Sequence, residues 1–258
     1  MSFIATVYPV GRPAALLTMR GDGPWDDGLV VDADGFKGWN GGVSSRRDVT
    51  MRQNRRGAHP VRSYGDPREV RANGFANASS HENLGSLEER FSLLGGDDVQ
   101  QVVFSVTEMG RTRWAIGYVD QAVFVPDGTI PSAQFSLHLW FENALKFGEV
   151  RTTAAASSAT SINRGNTTAS LVHTITGANA GGYTLASGGK TFTVTQPLVA
   201  GIPHTVDMET GDLTVAGVTI SGKTTTADLW GVPGGGTVTT TITGGTAQVA
   251  STVKDTYS

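Results

Sequence analysis

Three carboxylates fall within six residues of the stretch His204–Gly222, HTVDMETGDLTVAGVTISG: Asp207, Glu209 and Asp212. Acids this close could ligate a hard cation through oxygen or divide the work of proton transfer. An EF-hand calcium loop needs oxygen ligands at alternate positions, a glycine at the sixth and a glutamate at the twelfth. Counted from Asp207, Gly211 comes one place early and Val218 holds the twelfth position. The same residues read more simply as a strand, a turn at Glu209–Asp212 and a returning strand, because Asp, Thr and Gly form turns for backbone reasons. A glycosidase pair of carboxylates depends on spatial separation, and nothing in the spacing points to one.

The other chemical patterns fail individually. HENLG opens like a zinc-binding H-E-x-x-H, but Gly85 stands where the second histidine is required. The five histidines, at 59, 81, 138, 173 and 204, are scattered. No serine sits in G-x-S-x-G, and GVPGGG (231–236) lacks the Lys-Ser/Thr of a phosphate cradle and reads as a turn. The chain has no cysteine, which removes disulfides, thiolate ligands and thiol nucleophiles. The expectation is a protein that is not an enzyme, with no catalytic residues, no metal and no cofactor.

The elements that carry these residues are mostly strands. With 34 glycines among 258 residues, the chain is poorly suited to long helices. The run RTTAAASSATSINRGNTT (151–168) is small, polar and aperiodic, and composition changes across it. Sixteen of the twenty basic and eighteen of the twenty-three acidic residues precede Thr152, so two domains with different surfaces are expected, 1–151 and 152–258. In the second, SLVHTITG, GYTLASGGKTFTVTQPLVAG and GTVTTTITGG alternate branched residues with Thr, Ser or Gly, the period of an antiparallel β-sandwich. Trp230 is expected inside it, filling a core with few other large side chains. In the first domain three strands form a meander over VQQVVFSVTEMG, RTRWAIGYVDQAVFVPDG and AQFSLHLWFEN, with turns at Met109-Gly110 and Pro126-Asp127-Gly128. Leu84, Leu87, Phe91 and Leu94 are spaced for one short helix, with Ser86 and Glu89 as its capping box and Gly95-Gly96 as its stop. The fold class is mainly β, with one short α-helix.

Surfaces offer more than clefts do. The run SRRDVTMRQNRRGAHPVR carries Arg46, Arg47, Arg52, Arg55, Arg56 and Arg62 with Asp48 as its one acid, which suits an anionic partner or a protein interface as well as a solvated loop. Trp25, Phe36 and Trp39 lie in glycine- and aspartate-rich sequence, as contact residues or as caps on the first domain's core. Trp25, Phe36, Trp39, Arg46, Arg47, Arg55 and Arg56 are the candidate interface residues. A net charge of −3 gives no case for sequence-specific nucleic-acid binding. No stretch approaches the roughly 18 apolar residues of a membrane span, and Pro9, Gly11, Arg12 and Pro13 interrupt any secretory core, so a soluble, non-secreted chain is expected.

Taken in order, GFKGWNGG, the arginine-bearing strand, REVRANGFANASSHENLGSLEERFSLLGG, the meander ending in FENALKFGE, and the late TVDMETGDLTVAGVTISG and DLWGVPGGGTVTTT are similar to one family. Over essentially its whole length the chain resembles the distal tail (Dit) proteins of long, non-contractile-tailed bacteriophages, in the form found in phages of actinobacteria. The resemblance implies an N-terminal belt domain that closes into a homo-hexameric ring and a C-terminal galectin-like β-sandwich. It implies a structural virion protein at the tail tip, assembled in the host cytoplasm. Its implied partners are the tail tube protein, tail-tip or tail-associated proteins and receptor-binding proteins. It carries over no catalytic residue. An alternative from another class is a carbohydrate-binding protein gripping host cell-wall glycan through the C-terminal sandwich; a third is a glycan hydrolase with carboxylates invisible as a motif.

Overall fold

The computed structural model describes residues 2–11, 16–21, 28–42, 45–46, 64–94 and 101–258. The chain divides into two compact units, 1–146 and 147–257, each with its own core.

The first unit contains β1 (Phe3–Pro9), β2 (Leu17–Arg20), β3 (Gly28–Lys37), β4 (Ser45–Arg46), β5 (Tyr64–Gly65), β6 (Arg68–Asn77), α1 (His81–Leu94), β7 (Gln101–Glu108), β8 (Arg111–Pro126) and β9 (Ser132–Phe141). Seven of these strands run β8-β7-β1-β2-β3-β6-β9, and β9 also pairs with β8, so the sheet closes into a barrel. The expected meander supplies the closure. β8 is sixteen residues long; its leading half pairs with β7 and its trailing half with β9. The Met109-Gly110 turn joins β7 to β8 with both residues at positive φ, the geometry that matches strand twist in a two-residue hairpin. Every seam is antiparallel except β2–β3, which is parallel and spans only Met19↔Leu29 and Arg20↔Val30.

Strict alternation fills the barrel. Along β6 the inward positions are Arg68, Val70, Ala72, Gly74 and Ala76, and along β9 they are Ala133, Phe135, Leu137, Leu139 and Phe141. The aromatic content falls into two groups separated by six residues of β9, about 20 Å of strand. Near one end Phe91 of α1 meets Phe124 at 5.5 Å and Phe135 at 5.6 Å. Near the other, Trp39 stands edge-on to Phe104 at 5.2 Å, and Phe36 stacks on Phe3 at 4.4 Å.

The helix buries Leu84, Phe91 and Leu94 with Leu87 partly covered, as the spacing requires. Its start differs from the expected one. Ser80 is the N-cap: its Oγ accepts the Asn83 backbone N–H at 3.2 Å, and the Asn83 amide reaches back to Ser79 Oγ at 2.8 Å. Ser86 is mid-helix, its hydroxyl donating to the Glu82 carbonyl, so Ser86 and Glu89 form no capping box. The Ser79-Ser80 pair follows directly on β6 and satisfies the orphan N–H groups a turn and a half earlier. The Gly95-Gly96 stop lies outside the described residues.

The second unit contains β10 (Lys146–Thr152), β11 (Ser158–Ile162), β12 (Leu171–Thr176), β13 (Tyr183–Ser187), β14 (Lys190–Val194), β15 (His204–Asp207), β16 (Leu213–Val215), β17 (Val218–Ile220), β18 (Thr224–Ala227), β19 (Thr237–Thr243) and β20 (Gln248–Tyr257). One sheet runs β17-β16-β15-β12-β20-β10 and the other β11-β19-β13-β14-β18, with antiparallel registers from β17 to β20 in the first and throughout the second. Leu171, Ile175, Val206 and Val253 from the first face Leu185, Phe192 and Val194 from the second across a shared core. Threonine takes the outward positions, where hydroxyls pair across strands, Thr160 with Thr239 and Thr184 with Thr193.

Candidate functional site

The carboxylate cluster is a turn. Asp207 Oδ1 accepts the Glu209 N–H at 2.7 Å, the Asp207 carbonyl accepts Gly211 N–H at 2.8 Å, and Asp212 Oδ2 accepts the Thr210 hydroxyl at 2.8 Å. Gly211 adopts φ +81°, which its lack of a Cβ permits. These acids therefore organise their own backbone rather than converge on a ligand. Among the described residues no group of three or more His, Asp or Glu side chains is placed to hold a metal ion, and no helix is long and apolar enough to cross a membrane. GVPGGG is also a turn, fixed by the Asn163 amide donating to the Val232 carbonyl at 3.1 Å.

Trp230 is buried in the sandwich as expected, its indole N–H donating to Thr240 Oγ1 at 3.3 Å. Tyr183 and Phe192 are buried too, so the second unit turns these three ring faces inward, away from any sugar that would stack on them. His173 is fully buried beside Trp230, with Nδ1 2.8 Å from Ser251 Oγ, and burial pushes its pKa down to about 4. A Ser–His pair sealed in a core has no access to substrate.

The KGWNGG motif of the first unit is held from two distant parts of the chain. Arg68 donates Nη1 to the carbonyls of Gly38 at 2.9 Å and Trp39 at 3.0 Å, and Nε to that of Ala144 at 3.1 Å. Lys146 Nζ donates to the same Trp39 carbonyl at 3.0 Å and lies 5.5 Å from the centre of the Trp39 ring. Both cations are buried. Burial lowers Lys146 to about 8, with repulsion from Arg68 and Arg113 adding to it and Glu108 opposing. Glu108 in turn accepts from the Asn40 amide at 3.1 Å and faces Arg113 at 4.0 Å.

This arrangement changes the reading of the candidate interface. Trp39 is completely buried, so it caps the barrel core and offers no surface to a partner. Phe36 is half-buried against Phe3 and Phe104. The backbone of Arg46 pairs with Tyr64, and Ser45 with Gly65, so the arginine run leaves and re-enters the described chain at one two-stranded ribbon. Trp25, Arg47, Arg55 and Arg56 lie outside the described residues. Arg68, Glu108 and Lys146 were not singled out from sequence. The signal available was an inward parity for Arg68 in β6, an ionisable group where the alternation demands an apolar one.

The outside of the barrel presents two unlike faces. On the first, β2, β1, β7 and the leading half of β8 align Thr18–Thr6–Ser105–Trp114 in one cross-strand row and Tyr8–Val103–Ile116 in another. Arg20 is the single charged side chain among the outward positions of this face, while Ile4 is 48% and Ile116 36% exposed. On the second, β3, β6, β9 and the trailing half of β8 align Val30–Phe75–Gln134–Val125, with Phe75 36% and Val125 57% exposed. A shallow hollow of about 320 Å³ lies there, floored by Asn73 and Ser136, which share a 2.8 Å hydrogen bond. Two irregularities add acids to this face, and of these Asp32 lines the hollow. The β3 register breaks between Val31 and Phe36, putting out Asp32 and Asp34, and the β8 register breaks between Val119 and Gln121, putting out Asp120. A separate cleft of about 440 Å³ lies between α1 and the parallel β2–β3 seam, lined by Leu17, Leu29, Leu87, Arg20 and Arg90.

Neither a barrel capped by a helix nor a threonine-rich sandwich is itself a site. The chain matches the crystal structure of the Dit protein (gp 19.1) of phage SPP1, described as a paradigm of hub adsorption apparatus in phages infecting Gram-positive hosts. The TM-score is 0.64 at 14% identity over 98% of this chain and 99% of that one. It also matches a chain of the phage P2 baseplate in its activated conformation with Ca, at TM-score 0.51 and 7% identity over 98% of both chains. No family model and no curated protein matches the sequence. At these identities the likeness establishes the fold.

Proposed function

We propose that the chain is a structural protein of a phage tail, a distal tail or baseplate hub without enzymatic activity. In this reading the first unit is the belt that closes into a hexameric ring, and the second is a galectin-like sandwich carried on it. The ring joins the tail tube protein to tail-tip and receptor-binding proteins. The observation that carries the reading is that the likeness to the SPP1 Dit protein runs through both units and leaves almost none of either chain over. The surfaces support it as well. Among the described residues most strand edges of the closed barrel are already paired, which leaves its contacts mainly to faces and loops. The run between Arg46 and Tyr64 holds Arg47, Arg55 and Arg56 with a single acid, a composition suited to an acidic surface on a neighbouring tail protein. Trp25, Phe36 and Arg46 remain candidate contact residues in this reading.

The test is solution mass by light scattering together with negative-stain imaging of the full chain. Six-fold rings with an open centre are expected. A strict monomer at the highest attainable concentration, with no ring on added tail tubes, overturns the reading.

A further inference from the structure

We propose that successive copies of this chain pack the first face of one barrel (β2, β1, β7 and leading β8) against the second face of the next (β3, β6, β9 and trailing β8). The inference rests on the ring reading and names the surfaces that would build it.

Three observations carry it. The barrel closes on itself with every neighbouring pair of strands hydrogen-bonded, so the broad surfaces left for another copy are side-chain faces. The two faces occupy opposite sides of that cylinder, because β8 crosses from one to the other at its bulge. A head-to-tail contact between two different patches repeats around an axis, whereas a patch paired with itself stops at a dimer.

Their chemistry is complementary. The first face is nearly free of charge, with Ile4, Ile116, Tyr8 and Trp114 among hydroxyls, so covering it costs little desolvation. Its one cation, Arg20, calls for an acid opposite. The second face sets Phe75 and Val125 beside Asp32, and the same register breaks put out Asp34 and Asp120 elsewhere on it. Glu69 and Arg71 on that face lie 3.6 Å apart and offset each other, and Lys37, paired with Arg71, offsets one aspartate, which leaves the face net acidic.

The chain has no cysteine, so engineered thiols report contacts cleanly. Full-length Thr6→Cys/Gln134→Cys carries one thiol on each face. Treated with a short bismaleimide, it is expected to give a covalent ladder ending at the ring's subunit number, while each single-cysteine variant stays uncrosslinked. Ile116→Cys/Phe75→Cys is the second pair, with melting curves to show that each variant is folded. Dimers from a single-cysteine variant mean that a face pairs with itself, and that outcome sinks the proposal. Rings that form yet give no ladder with either pair also sink it and leave the ring reading intact. Unmodified protein that never forms rings removes the ring reading, and this inference with it.

Discussion

The ammonium of Lys146 sits 3.0 Å from the carbonyl oxygen of Trp39, 107 positions earlier in the chain, and 5.5 Å from the centre of that residue's indole. It shares the carbonyl with Arg68, so two buried cations fasten one loop at the mouth of the barrel. The folded-state pKa of about 8 lies below the ordinary 10.5. Between those values the unfolded chain binds more protons than the folded one, so stability rises with pH across that window. Lys146→Met is expected to flatten the rise. Denaturation midpoints followed by tryptophan fluorescence from pH 7.5 to 10.5 measure it; an unchanged slope in the variant refutes the assignment.

The second unit carries its own titration at the acid end. His173 is depressed to about 4 by burial, and burial lowers His204 as well, where it meets the Tyr183 hydroxyl at 3.3 Å. The unfolded chain takes up protons first, near 6.5, so stability falls as pH drops from about 6.5 toward 4. His173→Asn is expected to remove part of that loss and the His173→Asn/His204→Asn pair to remove most of it. Urea midpoints between pH 4.5 and 7 check this.

What could be read in the sequence was local. The sandwich alternation, the carboxylate turn and the β7–β9 meander follow from neighbours a few residues apart, and the burial of Trp230 from the second domain's shortage of other large side chains. The barrel does not: β1 pairs with β7 about a hundred residues on, and nothing in either strand names its partner. Trp39 shows the same limit from the other side. GWNGG has the composition of an exposed turn, yet its tryptophan is buried because Arg68 and Lys146, far along the chain, hold the loop's carbonyls. The helix start failed for a different reason, since the sequence contains two serine caps six residues apart and the capping-box pattern favoured the inner one. The outer faces of the barrel were invisible before the strand registers were known, because only the register puts Thr6, Ser105 and Trp114 in one row.

The two serines make a sharp comparison. Ser80→Ala removes the acceptor for the Asn83 N–H and is expected to cost about 1 kcal/mol. Ser86→Ala removes only a bond back to the Glu82 carbonyl and replaces a modest helix former by the best one, so it should be neutral or slightly stabilising. Thermal midpoints of the two variants decide between the caps. A larger loss at Ser86 than at Ser80 would restore the inner cap.

Two glycines of the first unit should respond to alanine with opposite signs. A Cβ on Gly74 would land on the backbone carbonyl of Val30, the neighbouring strand of the barrel wall, inside van der Waals contact. Strand β3 cannot move outward without breaking Val30↔Phe75 and Val31↔Gly74, so Gly74→Ala is expected to cost about 3 kcal/mol or more. Gly85 sits in α1 with nothing within 4 Å of a new Cβ and no positive φ. There alanine removes the backbone freedom that glycine loses on folding, a gain of about 0.5–1 kcal/mol. Urea unfolding of both variants measures the difference. If Gly74→Ala matches the parent, the close packing of β3 on β6 is wrong, and with it the register that sets Phe75 on the outer face.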